Sequence, residues 1–166
     1  MDVRYLLPTT DYSVERVSVD EGVVRLCIKP CTEEAKCPCC GTATRRVHSH
    51  YQRTVQDIAW GGRQVQLSVK ARRFVCDNAA CQRRIFTERL PDLVASHARR
   101  TERLVSLMQQ VGLLCGGSVS VAILRRLRIT TSRWTVIRDL RKVCALPDYT
   151  PRVLGVDDWA IRRGHR

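Results

Sequence analysis

The sequence predicts an α+β fold, with a small antiparallel, zinc-ribbon-like β module followed by a helical helix-turn-helix module. Three observations carry that prediction. Apolar residues alternate with polar ones through much of the first half. Two cysteine pairs, Cys37/Cys40 and Cys76/Cys81, bracket its longest strands. From Thr101 onward the apolar spacing changes to that of a helix. The expected organisation is a zinc-binding β module over residues 1–95, a helical DNA-binding module over 96–146, and a linker leading into a new strand over 147–166.

The first hairpin is read between Asp11 and Pro30, where Val17, Val19, Val23, Leu26 and Ile28 flank the turn Asp20-Glu21-Gly22. A second strand pair surrounds Gly61-Gly62, with Val65, Leu67, Val69 and Ala71 facing one way. Thr101 caps a helix whose buried stripe is Leu104, Val105, Leu107, Met108, Val111 and Leu114, and Gly116-Gly117 stops it. Ser118 caps a second helix carrying Val121, Leu124 and Leu127. A four-residue turn follows, and then a third helix over Arg133–Val143, capped by Thr131 or Ser132 and burying Trp134, Ile137 and Leu140. Pro147 and Pro151 bracket a linker, and residues 152–158 read as the start of an apolar strand.

Charge narrows the partners. The 166 residues hold 29 Lys plus Arg against 16 Asp plus Glu, a net charge of +13. Such a field collects polyanions, and double-stranded DNA is the first partner it suggests. Aromatic residues make up 5% of the chain, too few for a platform that stacks successive bases of a single strand. The N-terminus lacks a basic segment followed by an apolar core, so a cytoplasmic location is expected. No apolar run approaches the roughly 20 residues of a membrane span, and no membrane partner is expected.

Nine cysteines in a reducing compartment point to metal ligation rather than disulfides. Cys37-Pro-Cys-Cys40-Gly41 is a C-x2-C pair, and Cys76 to Cys81 is a C-x4-C pair. Four thiolates complete a closed tetrahedral zinc site. Two intervening residues let one turn aim both sulfurs at one ion, and Gly41 can take the positive φ that such a turn needs. Cys39 could replace Cys40 in a C-x-C pairing, although that leaves Gly41 without a role. Cys27, Cys31, Cys115 and Cys144 have no partner at ligand spacing and read as small core residues. His48, His50, His97 and His165 read as solvated or hydrogen-bonded rather than as ligands.

Residues 118–143 read as helix, turn, helix, with Asp139 as their only acid. The candidate DNA contacts are Arg125, Arg126, Arg128, Thr131, Ser132, Arg133, Thr135, Arg138, Arg141 and Lys142. The residues at the start of the third helix, Thr131, Ser132, Arg133 and Thr135, would approach base edges, and Arg138, Arg141 and Lys142 would meet phosphates. A solvated, charged helical bundle gives the same pattern.

The residues CPCCG, then the stretch RVHSHYQRTVQDIAWGGRQVQLSVKARRFVCDNAACQRRIFTERLP, and then VLGVDDWAIRRGHR resemble the N-terminal half of transposases of the ISL-three family of bacterial insertion sequences. The resemblance implies a zinc-binding domain and a helix-turn-helix that recognise the terminal inverted repeats of the element. It also implies a following ribonuclease-H-like domain with an Asp-Asp-Glu triad that holds divalent metals such as magnesium. Asp157, with Asp158 beside it, matches the first carboxylate of that triad. The sequence ends at Arg166, short of the other two carboxylates, so the expectation is a chain without catalysis of its own: a truncated or frameshifted product, a fragment, or half of a protein completed elsewhere.

Two alternatives stand beside the DNA-binding portion of a transposase. One is a regulator or transposition inhibitor that occupies the same element ends and blocks a full-length enzyme; whichever reading holds, a second copy of the chain, in a homodimer, or a full-length transposase is an expected protein partner. The other is a structural zinc module for protein contacts.

Overall fold

The computed structural model describes residues 7, 11–90 and 92–143. Seven strands precede two helices: β1 (Tyr12–Asp20), β2 (Val23–Pro30), β3 (Ala35–Lys36), β4 (Ala43–Thr44), β5 (Val47–Trp60), β6 (Arg63–Val75), β7 (Ile85–Thr87), α1 (Glu102–Arg126) and α2 (Arg133–Leu140). The main sheet runs β1-β2-β6-β5, and the short strands β3 and β4 form a separate pair. β5 covers one edge of β6, while β2 and β7 divide the other, β2 along Gln64–Val69 and β7 along Arg73–Val75.

Both hairpin turns have the backbone that tight two-residue loops require. Glu21 and Gly22 have φ of 46° and 80°, and Gly61 and Gly62 have φ of 51° and 72°. Two successive positive φ values match the twist of the flanking strands, which explains why glycine occupies three of the four positions. The predicted inward face of β6 is correct: Val65, Leu67, Val69 and Ala71 are all fully buried.

One expectation about this sheet is corrected. It is not wholly antiparallel, because β2 pairs with β6 in parallel, with Val24 opposite Val65, Leu26 opposite Leu67 and Ile28 opposite Val69. Alternation fixes which face a side chain takes and leaves strand direction open. A parallel pair needs a long crossover, and here the cysteine segment and β5 supply it. The core is completed by Leu90, Leu93 and Val94, which fold back over Tyr12, Leu26 and Val55.

The helical half departs from its sequence reading in several places. Gly116 does interrupt α1, with φ 69° and ψ 178°, so two helical segments meet there. Ser118 therefore lies inside the second segment rather than capping it. Ser120 is buried at the break, where its hydroxyl donates to Val111 O at 3.0 Å and also to Gly116 O. Leu114 is 85% exposed and Leu127 47% exposed, so neither belongs to the stripe expected of it. Trp134 is 67% exposed, and α2 buries Val136 and Asp139 instead. The connection between the helices spans residues 127–132, longer than the expected four. By length and composition α1 could also cross a membrane, a correction to the expectation that no apolar run approaches that length. Its Leu104, Met108 and Leu124 pack with Ile129 and Val136.

The end of α1 is closed by backbone bonds. Arg128 N donates to Arg125 O at 3.0 Å and Ile129 N to Leu124 O at 2.8 Å, with Arg128 in the left-handed region at φ 60°. This is the pattern of a Schellman cap, and the accompanying apolar contact is Ile129 in the same cluster as Leu124.

A buried ion pair joins helix to sheet. The Asp57 side chain, on β5, has no exposed surface and receives Arg103 Nε at 2.8 Å and the Thr101 hydroxyl at 2.7 Å, with Arg103 Nη2 on its other oxygen. Thr101 in turn caps α1 by accepting from Leu104 N. Gln56 N donates to Arg99 O at 2.9 Å, and Thr101 N donates to Gln56 O at 3.0 Å. Ile58 adds an apolar contact to the helical cluster.

α2 approaches α1 over two glycines. A Cβ placed on Gly112 would lie 2.8 Å from Val136 Cγ1 and 3.1 Å from a Leu140 methyl, and one on Gly117 would lie 3.2 Å from Ile137. Replacing Gly112 with alanine therefore forces the helices apart. G112A is expected to lose about 1–3 kcal/mol of stability, read from denaturant melts followed by helical circular dichroism.

Candidate metal centre and basic helical face

Two short knuckles converge where the β5–β6 hairpin opens. In the first, Gly41 N donates to Cys37 O and Cys37 N to Thr42 O, both at 2.9 Å, and Gly41 has φ 74°. In the second, Cys76 N donates to Arg84 O at 2.8 Å, Cys81 N to Asn78 O at 3.1 Å, and Ala80 N to the Asn78 side chain at 2.9 Å. The first knuckle precedes β5 and the second follows β6, so hairpin pairing itself brings the cysteines together.

The sulfurs of Cys37, Cys40, Cys76 and Cys81 all lie within 4.8 Å of one another. Cys37 and Cys81 are 3.9 Å apart, and Cys40 and Cys76 are 3.5 Å apart. Four sulfurs held tetrahedrally at the usual zinc–sulfur distance would be about 3.8 Å apart, so the donor set fits zinc. Cys39 stands outside the cluster and Cys40 within it, which favours the C-x2-C pairing.

The first knuckle favours thiolates, whereas burial and the neighbouring sulfurs push the Cys76 and Cys81 thiols up in the absence of an ion. The Thr42 hydroxyl, 3.3 Å from Cys40 Sγ, and after it the Thr42 backbone N–H, lower the Cys40 pKa to about 6. Arg83 N donates to Cys81 Sγ at 3.4 Å. One side of the cluster is closed by Phe74 and Phe86, whose rings stack 5.9 Å apart, and both are buried with Cys37, Cys76 and Cys81. An Arg46–Asp77 ion pair at 2.8 Å ties the start of β5 to the second knuckle.

The remaining cysteines and histidines do not gather around a metal. Cys27 and Cys115 are half-buried and Cys31 is exposed, which corrects the reading of these three as core residues. His48, His50 and His97 are exposed. Among the described residues the four cysteines form the one cluster of histidine, cysteine or carboxylate side chains able to hold a metal. Cys144, His165 and the carboxylates Asp157 and Asp158 lie outside the described residues.

Of the residues read as DNA contacts, Arg125, Arg126, Arg128, Ser132, Arg133, Arg138, Arg141 and Lys142 are exposed, and Thr131 and Thr135 are half-buried. Ser132 is the N-cap of α2, its hydroxyl accepting from Thr135 N at 3.3 Å. The Thr131 hydroxyl oxygen is itself buried. Arg133 stacks over the exposed Trp134 ring at 5.0 Å, and Lys142 pairs with Asp139 at 2.9 Å. Trp134 is thus a surface residue of this face, where helical spacing alone had placed it inside.

Removing one ligand leaves three thiolates unable to close the site. C76S is expected to lose stoichiometric zinc and the cooperative unfolding of the β module, whereas C39S keeps both. Metal analysis and thermal melts with and without a chelator distinguish these outcomes.

Residues 33–81 match the family model described as the zinc-finger of transposase IS204/IS1001/IS1096/IS1165. No curated protein and no solved structure matches the chain. The matched span begins just ahead of β3 and ends on Cys81, so it contains all four ligands. This part of the chain is similar to a transposase zinc finger, and the cluster of Cys37, Cys40, Cys76 and Cys81 within it supports a structural zinc ion.

Proposed function

We propose that the protein is the DNA-binding N-terminal portion of a transposase, that it recognises the terminal inverted repeats of an insertion sequence, and that it does not catalyse strand transfer by itself. The observation that carries this reading is the transposase zinc ribbon fused directly to an exposed, basic helical pair. Of the seven cations from Arg125 to Lys142, only Lys142 has a carboxylate partner among the described residues. The second segment of α1 and α2 serve as a helix-turn-helix, with the start of α2 entering the major groove.

Within that reading Arg133 and Trp134 face base edges, and Arg125, Arg126, Arg128, Arg138 and Arg141 hold phosphates. Ser132 and Thr135 spend their hydroxyls on each other, 3.1 Å apart, and on the helix cap, so they position α2 more than they read sequence. The four-thiolate zinc site has no open coordination position for water or substrate, which is the condition of a structural ion and not of a hydrolytic one. Strand transfer would require a separate carboxylate-bound metal pair.

The test is fluorescence anisotropy of the zinc-loaded chain against a duplex bearing the inverted repeats that flank its own gene and against a scrambled duplex. A preference of tens-fold or more for the repeats is expected. R133A should cost about 1–3 kcal/mol on the repeat duplex and narrow the preference, while R138A and R141A weaken both duplexes alike. Equal binding to the two duplexes by the unaltered chain would overturn sequence recognition.

A further inference from the structure

A groove of about 590 Å³ lies between one face of β5 and β6 and the segment running from Arg83 to Arg99. Arg53, Arg73, Arg83, Arg89, Arg99 and His97 line it. Its one carboxylate, Glu88, is buried and already engaged by Arg72, with Arg72 Nε 3.1 Å from Oε2. Many cations elsewhere on the β module are paired: Arg25 with Asp20, Lys29 and Lys70 with Glu15, Arg45 with Glu33 and Glu34, and Arg46 with Asp77. None of the five groove arginines has such a partner among the described residues. Five uncompensated guanidiniums around one concavity repel one another and focus a positive potential that an anion relieves.

Several of these side chains are already held in place. Arg53 Nη2 donates to Ala98 O, Arg89 Nη1 donates to Ser96 Oγ, and the Arg73 guanidinium lies 5.4 Å from the centre of the Tyr51 ring. Each such anchor leaves further N–H groups on the same guanidinium. Planar, pre-positioned guanidiniums suit phosphate oxygens, which accept two parallel hydrogen bonds.

The groove also leads somewhere. A second concavity of about 480 Å³ shares Thr54 and Arg99 with the first and continues past Gln56 and Gln64 to Thr130. There Gln64 Nε2 donates to Thr130 Oγ1 at 3.3 Å, two residues before the cap of α2. A polar track therefore runs from Arg83, beside the zinc ligand Cys81, to the start of α2.

We propose that this track is a binding site for the phosphodiester backbone of duplex DNA, with Arg53, Arg73, Arg83, Arg89 and Arg99 as the phosphate contacts. The choice of duplex DNA as ligand rests on the functional reading above; the anion site rests on the groove. The track contributes affinity without sequence preference, and α2 contributes the preference.

The test uses the double variant R83A/R99A of the zinc-loaded chain, because these two guanidiniums are exposed and make no hydrogen bond that folding would miss. Anisotropy is measured on the repeat and scrambled duplexes across a salt series, with R45A, an exposed cation away from the track, as control and zinc content as the check on folding. The expected result is a roughly tenfold or greater loss on both duplexes, an unchanged ratio between them, and a slope of log K against log salt shallower by about two. R45A should match the parent chain.

Unchanged affinity and slope in the double variant would overturn the track, as would a loss confined to the repeat duplex. If the parent chain binds both duplexes equally and the double variant loses that binding, the track stands and sequence recognition fails. If the parent chain binds neither duplex, both fail.

Discussion

The rest of the structure depends on four sulfurs meeting at the open end of one long hairpin. β5 and β6 leave their connecting turn and run out to two separate knuckles, and a shared ion would bind both knuckles at one point. Without it the four sulfurs have only weak hydrogen bonds to one another and the packing of the Phe74–Phe86 stack to hold them together. Apparent free energies of about 10–16 kcal/mol for structural zinc in small modules are comparable to the whole stability of a domain of this size. Zinc here decides whether the hairpin has a fixed far end.

The near end of the same hairpin is fixed differently. Asp57 sits just before the Gly61–Gly62 turn, buried, and its two oxygens take Arg103 and Thr101 from the start of α1. Thr101 serves both elements at once, donating to Asp57 and accepting from the first turn of the helix. The basic track runs alongside this hairpin between its two fixed ends. A nucleic acid lying in it would meet a surface whose spacing is set by a metal at one end and a buried ion pair at the other.

Much of this was legible in the sequence where the determinants are local. Cysteine spacing named the four ligands, because a knuckle is a short turn with its own rules. Gly22 and Gly61-Gly62 located the hairpins for the same reason, and Thr101 announced a helix start. What failed was set by partners distant in sequence. The parallel pairing of β2 with β6 leaves no mark in the alternation of either strand. Trp134 was placed inside because α2 is short and its spacing admits more than one buried face; the choice is made by Gly112 and Gly117 on α1, which admit Val136, Leu140 and Ile137. Asp57 and Arg103 lie 46 positions apart, and nothing near either residue hints at the other. The basic groove was hidden likewise, since Arg53, Arg73, Arg83, Arg89 and Arg99 are scattered along the chain and become a site only when the segment after β7 folds back over the sheet.

The parallel contact between β2 and β6 also has a consequence for how the chain is made. A ribosome delivers β1 and β2 first, as a hairpin whose inner face, Leu26 and Ile28, is fully buried in the finished protein. The strand that covers β2's open edge is β6, and the ion that secures β6 needs Cys81, later still. During synthesis the nascent chain therefore carries an apolar strand with an unpaired edge, open to mispairing with other chains, until the second knuckle has emerged. Cells short of zinc would prolong that interval, so metal supply would govern the yield of this protein as much as its stability.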